Sequence, residues 1–299
     1  MDPRRRDFLR SGALLATAAW PRVSAAADAS LSVAYAGSMG ALMDQGISPV
    51  WRRDFHVDLE GRGQGALGLA HLIVGDAIRP DIFISITRDP MDIVLRAGYA
   101  GEAVAIASTA LVIAYSPRGR IPDLFARTSW WRALEAPDMR FGRTDPRTDP
   151  QGLNVIFMMK LAERFYGQPG LARRILGPWI NSRQIFPEPE VMARLQAGEL
   201  DAASAYKTQP AALGLPFVKL PAAVNLGDAA YARSYGEVSV ALDKKVYRPL
   251  PLVFYAAVLK GSRRPHVARA FIHWLRGAAG QAILRRFHYD GPGAAPPLR

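Results

Sequence analysis

Two short turns of the chain combine groups that bind small anions, namely backbone amides at glycines and a polar side chain. Residues 36–40 (AGSMG) and residues 61–65 (GRGQG) each lie between an extended run and a stretch with helical periodicity. Glycine permits close backbone approach, and the amides at a helix start point toward negative charge. Simple helix capping by Ser38 and a merely flexible second turn are the alternatives. The expected oxyanion donors of the two turns are Gly37, Ser38, Met39, Gly63, Gln64 and Gly65.

A longer polar segment, residues 141–152 (FGRTDPRTDPQG), carries the carboxylate of Asp149 directly before Pro150. A helix that begins there explains both residues, because aspartate caps helices and proline favours the first turn. The segment also lies where the strand pattern places the ligand edge of a second sheet. Residues 205–208 (AYKT) bring a phenol, an ammonium and a hydroxyl together, and all three donate hydrogen bonds to anions. A simple strand-end turn is the alternative there. The expected anion donors in it are Tyr206 and Thr208.

Alternating strands and helices must position these segments. Residues 31–36 and 81–86 are short apolar runs, residues 56–60 form another extended run, and helical stretches lie between them. A similar alternation covers residues 139–206. Strands that alternate with helices at this spacing predict a mostly parallel sheet with ligands bound at the carboxyl ends of its strands. We therefore predict an α/β fold with two Rossmann-like lobes.

A hinge is expected to join the lobes, because about 270 residues remain after an N-terminal signal and one compact core rarely supports so many. The apolar runs at residues 109–115 and 251–259 are predicted to lie in or beside this hinge. We predict that residues 28–115 form the first part of lobe I and that residues 116–215 form lobe II. Residues 216–299 are predicted to return to lobe I with a C-terminal amphipathic helix and a disordered tail, GPGAAPPLR.

The N-terminus has the pattern of a twin-arginine export signal. Residues 4–10 (RRRDFLR) precede an apolar stretch at residues 12–20, and small residues cluster at residues 24–27. The apolar stretch is shorter than the roughly 20 residues of a membrane span. We predict that residues 1–27 direct the protein to the periplasm. A disordered, basic start of a cytosolic protein is the alternative.

The composition argues against some classes of function. The chain has no cysteine, so neither disulfides nor thiol chemistry can contribute. The formal net charge is +12. The predicted signal contains five arginines and two aspartates and so accounts for +3, which leaves +9 for the rest of the chain. Basic residues are spread along the chain without an accompanying stripe of aromatic residues. This distribution argues against nucleic-acid binding and indicates a mild attraction for small anions.

Hydrolase and metalloenzyme motifs are absent from the sequence. Ser38 has Ala36 rather than glycine two residues before it, so the GxSxG pattern is not met, and HExxH does not occur. The five histidines lack metal-ligand spacing. A binder of ferric iron would need several converging tyrosines and carboxylates, and only Tyr206 and Asp149 are placed for that role. We therefore predict a binding protein without catalytic residues and without a cofactor.

The order of these segments resembles the periplasmic molybdate/tungstate-binding proteins of ABC importers, which are type II periplasmic binding proteins, and especially the branch similar to archaeal tungstate binders. The most specific part is residues 141–167, FGRTDPRTDPQG followed by LNVIFMMKLAERFYG. Three further segments contribute to the resemblance: the AGS turn at residues 36–38, LQAGELDAASAYKT at residues 195–208 and PLVFYAAVLKGS at residues 251–262. The resemblance covers nearly the whole chain after the signal.

The resemblance implies a monomer that captures molybdate or tungstate in the periplasm and passes it to the permease of an ABC importer in the inner membrane. Ser38 would donate to the oxyanion, the turn at residues 63–65 would add amides, and Tyr206 would close the site. Asp149 would approach the molybdenum or tungsten itself. Such a centre is a hard cation that accepts further oxygen ligands.

Two departures from the family pattern leave the ligand open. The family's second loop carries a serine where this chain has Gly65, and the second carboxylate of the branch, just before the tyrosine, is replaced by Ala205. With one carboxylate instead of two, the bound anion could stay four-coordinate. The alternatives are a different small anion, such as sulfate or a carboxylate, and a periplasmic enzyme on the same fold.

Overall fold

The computed structural model describes residues 29–118 and 123–299, so the predicted signal at residues 1–27 lies outside the described residues. Within these ranges the chain forms a mixed α/β structure with a five-stranded sheet, a four-stranded sheet and a two-stranded hairpin. No helix in them is long and apolar enough to span a membrane.

The first sheet contains strands from both ends of the chain. They are β1 (Ala29–Ala36), β2 (Val57–Gln64), β3 (Ile82–Ile86), β4 (Val104–Ser108) and β11 (Val253–Val258). The order across the sheet is β2-β1-β3-β11-β4, with β1 parallel to β2 and β3, and β11 antiparallel to β3 and β4. Its helices are α1 (Ser48–Phe55), α2 (Ala66–Val74), α3 (Asp89–Arg96), α12 (Pro265–Arg276) and α13 (Ala278–Arg286).

The second sheet is built from the middle of the chain. Its strands are β5 (Leu111–Tyr115), β6 (Phe141–Gly142), β7 (Ala202–Tyr206) and β8 (Phe217–Lys219), in the order β6-β7-β5-β8. Here β6 runs parallel to β7, whereas β5 runs antiparallel to β7 and β8. The hairpin consists of β9 (Val240–Leu242) and β10 (Lys245–Tyr247). The helices are α4 (Leu124–Arg127), α5 (Trp130–Leu134), α6 (Pro150–Tyr166), α7 (Leu171–Leu176), α8 (Glu188–Ala197), α9 (Thr208–Ala212), α10 (Ala222–Asn225) and α11 (Ala232–Tyr235).

Burial on both faces explains why these residues form strands. β3 (IFISI) is almost wholly apolar, and Ile82 and Ile84 are as fully buried as Phe83 between them. On β7 the residues alternate, since Tyr206 belongs to the core under α6 and Ala205 to the core under α8. Helices therefore cover both faces of β7, and its end is where a ligand can reach it.

The predicted α/β class is confirmed, but the sheets are mixed rather than mostly parallel. Three pairings within the two sheets are parallel and four are antiparallel. Each antiparallel pairing involves β5 or β11. Each of these two strands comes directly after a point at which the chain crosses from one sheet to the other. Each therefore runs antiparallel to its neighbours, whereas strands joined by a helix within one sheet run parallel.

The division of the chain between the two sheets differs from the predicted lobe boundaries. Only two residues separate β4 from β5, so the run expected to end lobe I at residue 115 already belongs to the second sheet. Residues 216–252 were expected in lobe I. Instead β8 lies in the second sheet, and Val224, Tyr235 and Leu252 pack in the core under α6. The chain returns to the first sheet at Val253.

The C-terminal region also differs from the prediction. The single amphipathic helix expected there is interrupted at Gly277, whose backbone is extended (φ −77°, ψ 175°), and forms α12 and α13. The tail predicted to be disordered is held against the first sheet. Leu298 pairs with Ala103 and is only 5% exposed, and Arg299 binds Glu102 at 2.8 Å.

Candidate functional site

The first two candidate turns meet at one edge of the first sheet. Ala36 and Gln64 are register partners at the ends of the parallel strands β1 and β2. A Cβ atom added to Gly37 would lie only 3.6 Å from the backbone of Gln64. Residues that are far apart in sequence are therefore neighbours at the carboxyl ends of these strands, where α/β sheets bind ligands.

Ser38 lies in a 3-10 turn, Gly37–Met39, that follows β1 directly. Gly37 and Ser38 are exposed, whereas the side chain of Met39 is fully buried in the core, so Met39 can offer only its backbone. No side chain caps this turn, and none caps the π-helix Leu42–Ile47 that follows it, whose N-cap is Ala41. The capping role weighed for Ser38 is therefore not what the structure shows, and the Ser38 hydroxyl is available to a ligand.

The second turn is shorter than the sequence predicted, because β2 continues to Gln64 instead of ending at residue 60. The reason is the ring of Tyr35 on the neighbouring strand. A Cβ atom on Gly63 would lie 2.7 Å from that ring, so glycine is what lets the two strands pair. The expected glycine nest at residues 61–65 is wrong as a local structure. What remains of the turn is Gln64 at the end of β2 and Gly65, the N-cap of α2.

In the second lobe, Asp149 caps α6 as predicted. Its Oδ1 accepts a hydrogen bond of 2.8 Å from the Gln151 amide, and Pro150 follows as the first helical residue. Burial raises the pKa of the Asp149 carboxyl, and the hydrogen bond from Gln151 opposes that rise only in part. A group that combines a capping role with a raised pKa is a candidate for function as well as for structure.

Tyr206 ends β7 with its side chain buried against α6. Asn154 donates a hydrogen bond of 3.1 Å to the Tyr206 hydroxyl oxygen. Burial raises the pKa of Tyr206, and the nearby charges of Asp149 and Glu188 raise it further, so the phenol stays neutral. Because the oxygen accepts from Asn154, the hydroxyl proton remains free to donate to a third group. Thr208 lies two residues further on, half-buried at the start of α9.

Glu188 is a second carboxylate in this region, and the sequence reasoning missed it. Arg143 and Ile185 form a parallel bridge beside β6, and this pairing delivers Glu188 to the neighbourhood of Asp149. Gln209 donates to Glu188 Oε1 at 2.5 Å and accepts from the Tyr206 amide at 2.9 Å. Glu188 is exposed at the cleft, yet partial desolvation by the surrounding protein raises its pKa, and the charge of Asp149 adds to the rise.

Glu188 bears on the interpretation of Ala205, the position at which the related proteins carry their second carboxylate. Ala205 is fully buried on the face of β7 opposite to Tyr206, so a carboxylate there would point into the core under α8. The strand alternates faces, so the side chains of residues 205 and 206 lie on opposite faces of β7. A second carboxylate near Asp149 comes instead from another segment, as Glu188.

Asp149 and Glu188 line one cleft of about 340 Å³ at the end of the second sheet. The cleft is near the lower end of the range for small-molecule sites, about 300 Å³. Hydroxyl and carboxylate groups face it beside a short apolar wall. The remaining lining residues are Thr144, Asp145, Thr148, Ile185, Phe186 and Pro187.

A fully buried cation, Arg143, lies beside this cleft. Its guanidinium donates to Gln184 Oε1 at 3.1 Å and to the Trp179 carbonyl at 2.8 Å, and no carboxylate of the described ranges pairs with it. Burial lowers the pKa of Arg143 to about 10, so it still carries its charge at neutral pH. The charge of Asp145, a lining residue of the same cleft, acts on Arg143 from beyond ion-pair distance. A buried cation in a low-dielectric region favours an anion nearby.

A C-terminal segment contacts both halves of the candidate site. The first half-site is the turn Gly37–Met39, and the second is the group around Asp149 and Tyr206. Tyr289 donates a hydrogen bond to the Ser38 carbonyl at 3.0 Å, and Asp290 forms an ion pair with Lys207, the residue after Tyr206. Lys207 is therefore engaged and is a poor candidate for direct anion binding. In the parts of the chain that the structure describes, no group of three or more histidine, aspartate or glutamate residues is placed to hold a metal ion.

Known proteins resemble this chain over most of its length. A protein of Haloferax volcanii, provisionally named an ABC transporter molybdenum-binding protein, is 30% identical over 249 residues, which cover 80% of this chain and 78% of that protein. The molybdate/tungstate-binding protein WtpA of Pyrococcus abyssi is 27% identical over 216 residues. These residues cover 64% of this chain and 62% of WtpA, so the match spans less than two thirds of that relative.

Solved structures show the same fold. The substrate-binding domain of a Clostridium difficile ABC transporter, provisionally assigned to molybdenum, superposes with a TM-score of 0.60 over 88% of this chain and 99% of that one. The sequence identity is 15%, so this likeness concerns the fold alone. The model of the bacterial extracellular solute-binding protein family matches residues 31–290. The chain therefore belongs to the family of bacterial extracellular solute-binding proteins.

Proposed function

We propose that the protein captures molybdate or tungstate outside the cytoplasmic membrane and delivers it to an ABC importer. The observation that carries the proposal is the cleft shared by Asp149 and Glu188, with Tyr206 beside it. In this proposal Gly37, Ser38 and the start of α2 supply hydrogen bonds from the first lobe. The relatives named for molybdenum, molybdate and tungstate support the same choice.

Two carboxylates are the feature that selects the ligand. An ionised carboxylate about 4 Å from a dianion, at an effective dielectric constant of about 20, is repelled by roughly 8 kcal/mol. Sulfate has no vacant coordination position that could offset this cost. Molybdenum(VI) and tungsten(VI) are hard cations that accept further oxygen ligands. Asp149 and Glu188 therefore favour an oxyanion whose central atom they can coordinate.

The second candidate ligand is a smaller oxyanion such as sulfate. The raised pKa values of Asp149 and Glu188 favour it, because a protonated carboxyl donates to an anion instead of repelling it. Binding by protonated carboxyls would strengthen as the pH falls. Coordination by ionised carboxylates would weaken under the same change, so the sign of the pH dependence separates the two candidates.

The remaining parts of the proposal concern location and partners. The protein would be exported by the twin-arginine route, act in the periplasm as a monomer, and meet the permease of its importer at the inner membrane. It would bind without catalysing a reaction and without a cofactor, because the oxyanion is its cargo. Hinge closure between the two sheets would complete the donor set only when the anion is present.

Calorimetry on the purified protein tests the proposal directly. Molybdate, tungstate, sulfate, phosphate and citrate are titrated into the wild type and into Glu188→Gln, which keeps a polar side chain of the same size. We expect molybdate and tungstate to bind most tightly and Glu188→Gln to lower both affinities by about tenfold or more. X-ray absorption at the molybdenum edge then reports whether the bound metal has more than four oxygen neighbours. Equal affinity for sulfate and molybdate in the wild type would contradict the proposal.

A further inference from the structure

Tyr289 holds the first candidate turn from behind. The residue is 4% exposed, its ring packs edge-on against Phe254 at 5.3 Å, and its hydroxyl donates to the carbonyl of Ser38 at 3.0 Å. That carbonyl belongs to the same 3-10 turn that presents the Ser38 hydroxyl and the neighbouring amides. The hydrogen bond therefore fixes the orientation of the turn without occupying any of its donor groups.

Asp290, the next residue, contacts two places: the end of β4, where the chain crosses to the second sheet, and Lys207, beside the second half-site. Its backbone exchanges two hydrogen bonds of 2.9 Å with Ser108, the last residue of β4. Its carboxylate forms an ion pair with the Nζ atom of Lys207, the residue directly after Tyr206. The backbone amide of Lys207 donates to the Ala110 carbonyl at 2.8 Å. Asp290 thus touches the strand end that carries Tyr206 and the point at which the chain leaves the first sheet.

We infer that Tyr289 and Asp290 are positioning residues that set the two half-sites relative to one another. This inference rests on the proposed function, because it gives the pair a role in anion binding. Neither residue is placed to touch the ligand: the Tyr289 hydroxyl is directed at a backbone carbonyl and the Asp290 carboxylate at Lys207. Their contribution to affinity is the preorganisation of donors that would otherwise have to be ordered on binding.

Tyr289→Phe and Asp290→Asn test this role, since both keep the size of the side chain and remove one interaction. Two matched controls lie elsewhere in the first lobe. Tyr99→Phe also removes a hydroxyl that lies 3.0 Å from a backbone carbonyl, that of Val74, and 3.0 Å from Asp76 Oδ2. Glu102→Gln also breaks an ion pair, with Arg299. The controls remove similar bonds without touching either half-site.

The first measurement is hydrogen exchange of the ligand-free protein, which does not depend on what the protein binds. A neutral hydrogen bond contributes about 1 kcal/mol, so Tyr289→Phe is expected to speed exchange of the amides in residues 37–43 by about fivefold. Exchange elsewhere in the first lobe should change no more than it does in Tyr99→Phe. Asp290→Asn should have its effect at residues 206–209 instead.

The second measurement is the affinity for molybdate and tungstate. Both test variants are expected to weaken the two anions by the same factor, about three- to tenfold, while Tyr99→Phe and Glu102→Gln leave affinity unchanged. Asp290→Glu should recover affinity lost in Asp290→Asn. If the wild type binds the anions and neither variant alters exchange or affinity beyond its control, the positioning role is wrong. If the wild type binds none of the anions, the proposed function fails, and the exchange result alone decides whether Tyr289 and Asp290 order the two turns.

Discussion

The charge of Asp149 can be removed while its structural role is kept, which makes Asp149→Asn the most informative substitution. Asparagine caps helices about as well as aspartate, so the hydrogen bond from the Gln151 amide should survive. Asp149→Ala removes the cap as well and should cost about 1 kcal/mol of stability. The comparison of the two variants separates the charge from the cap.

The expected effect on sulfate follows from the protonation equilibrium. The repulsion of roughly 8 kcal/mol between an ionised carboxylate and a dianion is an upper limit, because the carboxyl can take up a proton instead. At pH 7 that uptake costs about 4 kcal/mol for a carboxyl with its ordinary pKa of 3.8, and burial of Asp149 makes it cheaper. Asp149→Asn should therefore strengthen sulfate binding by a factor between about 10 and 1,000.

Molybdate and tungstate should respond in the opposite direction. Both anions would lose an oxygen ligand to the metal, and we expect their affinity to fall by about tenfold or more in Asp149→Asn. Titration calorimetry at pH 7 on the wild type, Asp149→Asn and Asp149→Ala measures all the required constants. If sulfate and molybdate change in the same direction and by similar factors, the contact between Asp149 and the metal is refuted.

Three further predictions concern stability and export. Burial raises the folded-state pKa values of Asp149 and Glu188 above their ordinary values of 3.8 and 4.5, so the folded protein loses stability as the pH rises from those ordinary values through the raised ones. In urea unfolding, Asp149→Asn with Glu188→Gln should therefore be more stable than the wild type at pH 7, and that gain should disappear as the pH falls below 3.8. Arg143→Lys, whose compact ammonium lacks the planar fork that reaches Gln184 Oε1 and the Trp179 carbonyl together, should lower the unfolding free energy by about 1–3 kcal/mol in the same assay. Replacing Arg5 and Arg6 by lysine should leave the precursor in the cytoplasm, which immunoblots of cell fractions would show; unchanged export would contradict a twin-arginine signal.

The parts of the site that local sequence determines were predictable. Ala202–Tyr206 is a strand within the strand–helix alternation predicted for residues 139–206. Asp149 and Pro150 start α6, because a cap and a first-turn proline need no tertiary context. The closeness of residues 36 and 64 was also predictable, because both lie at the carboxyl ends of strands expected to pair in parallel. In each case the signal lies within a few residues of the feature.

The parts that depend on distant contacts were not predictable. Gly61 and Gly63 read as a turn, yet they belong to a strand because the ring of Tyr35 needs their space. Glu188 stood in a stretch without strand periodicity, and its place beside Asp149 comes from the bridge between Arg143 and Ile185. A single sequence shows neither the partner ring nor the partner strand.

The second sheet is a continuous insertion into the first. The chain leaves at Ser108 and re-enters at Val253, and the two crossings adjoin, since the Thr109 amide donates to the Leu252 carbonyl at 3.0 Å. Meanwhile β11 occupies an inner position of the first sheet. We therefore expect a fragment of residues 109–252 to fold on its own, whereas a chain stopped before residue 253 would leave the first sheet without its interior strand β11.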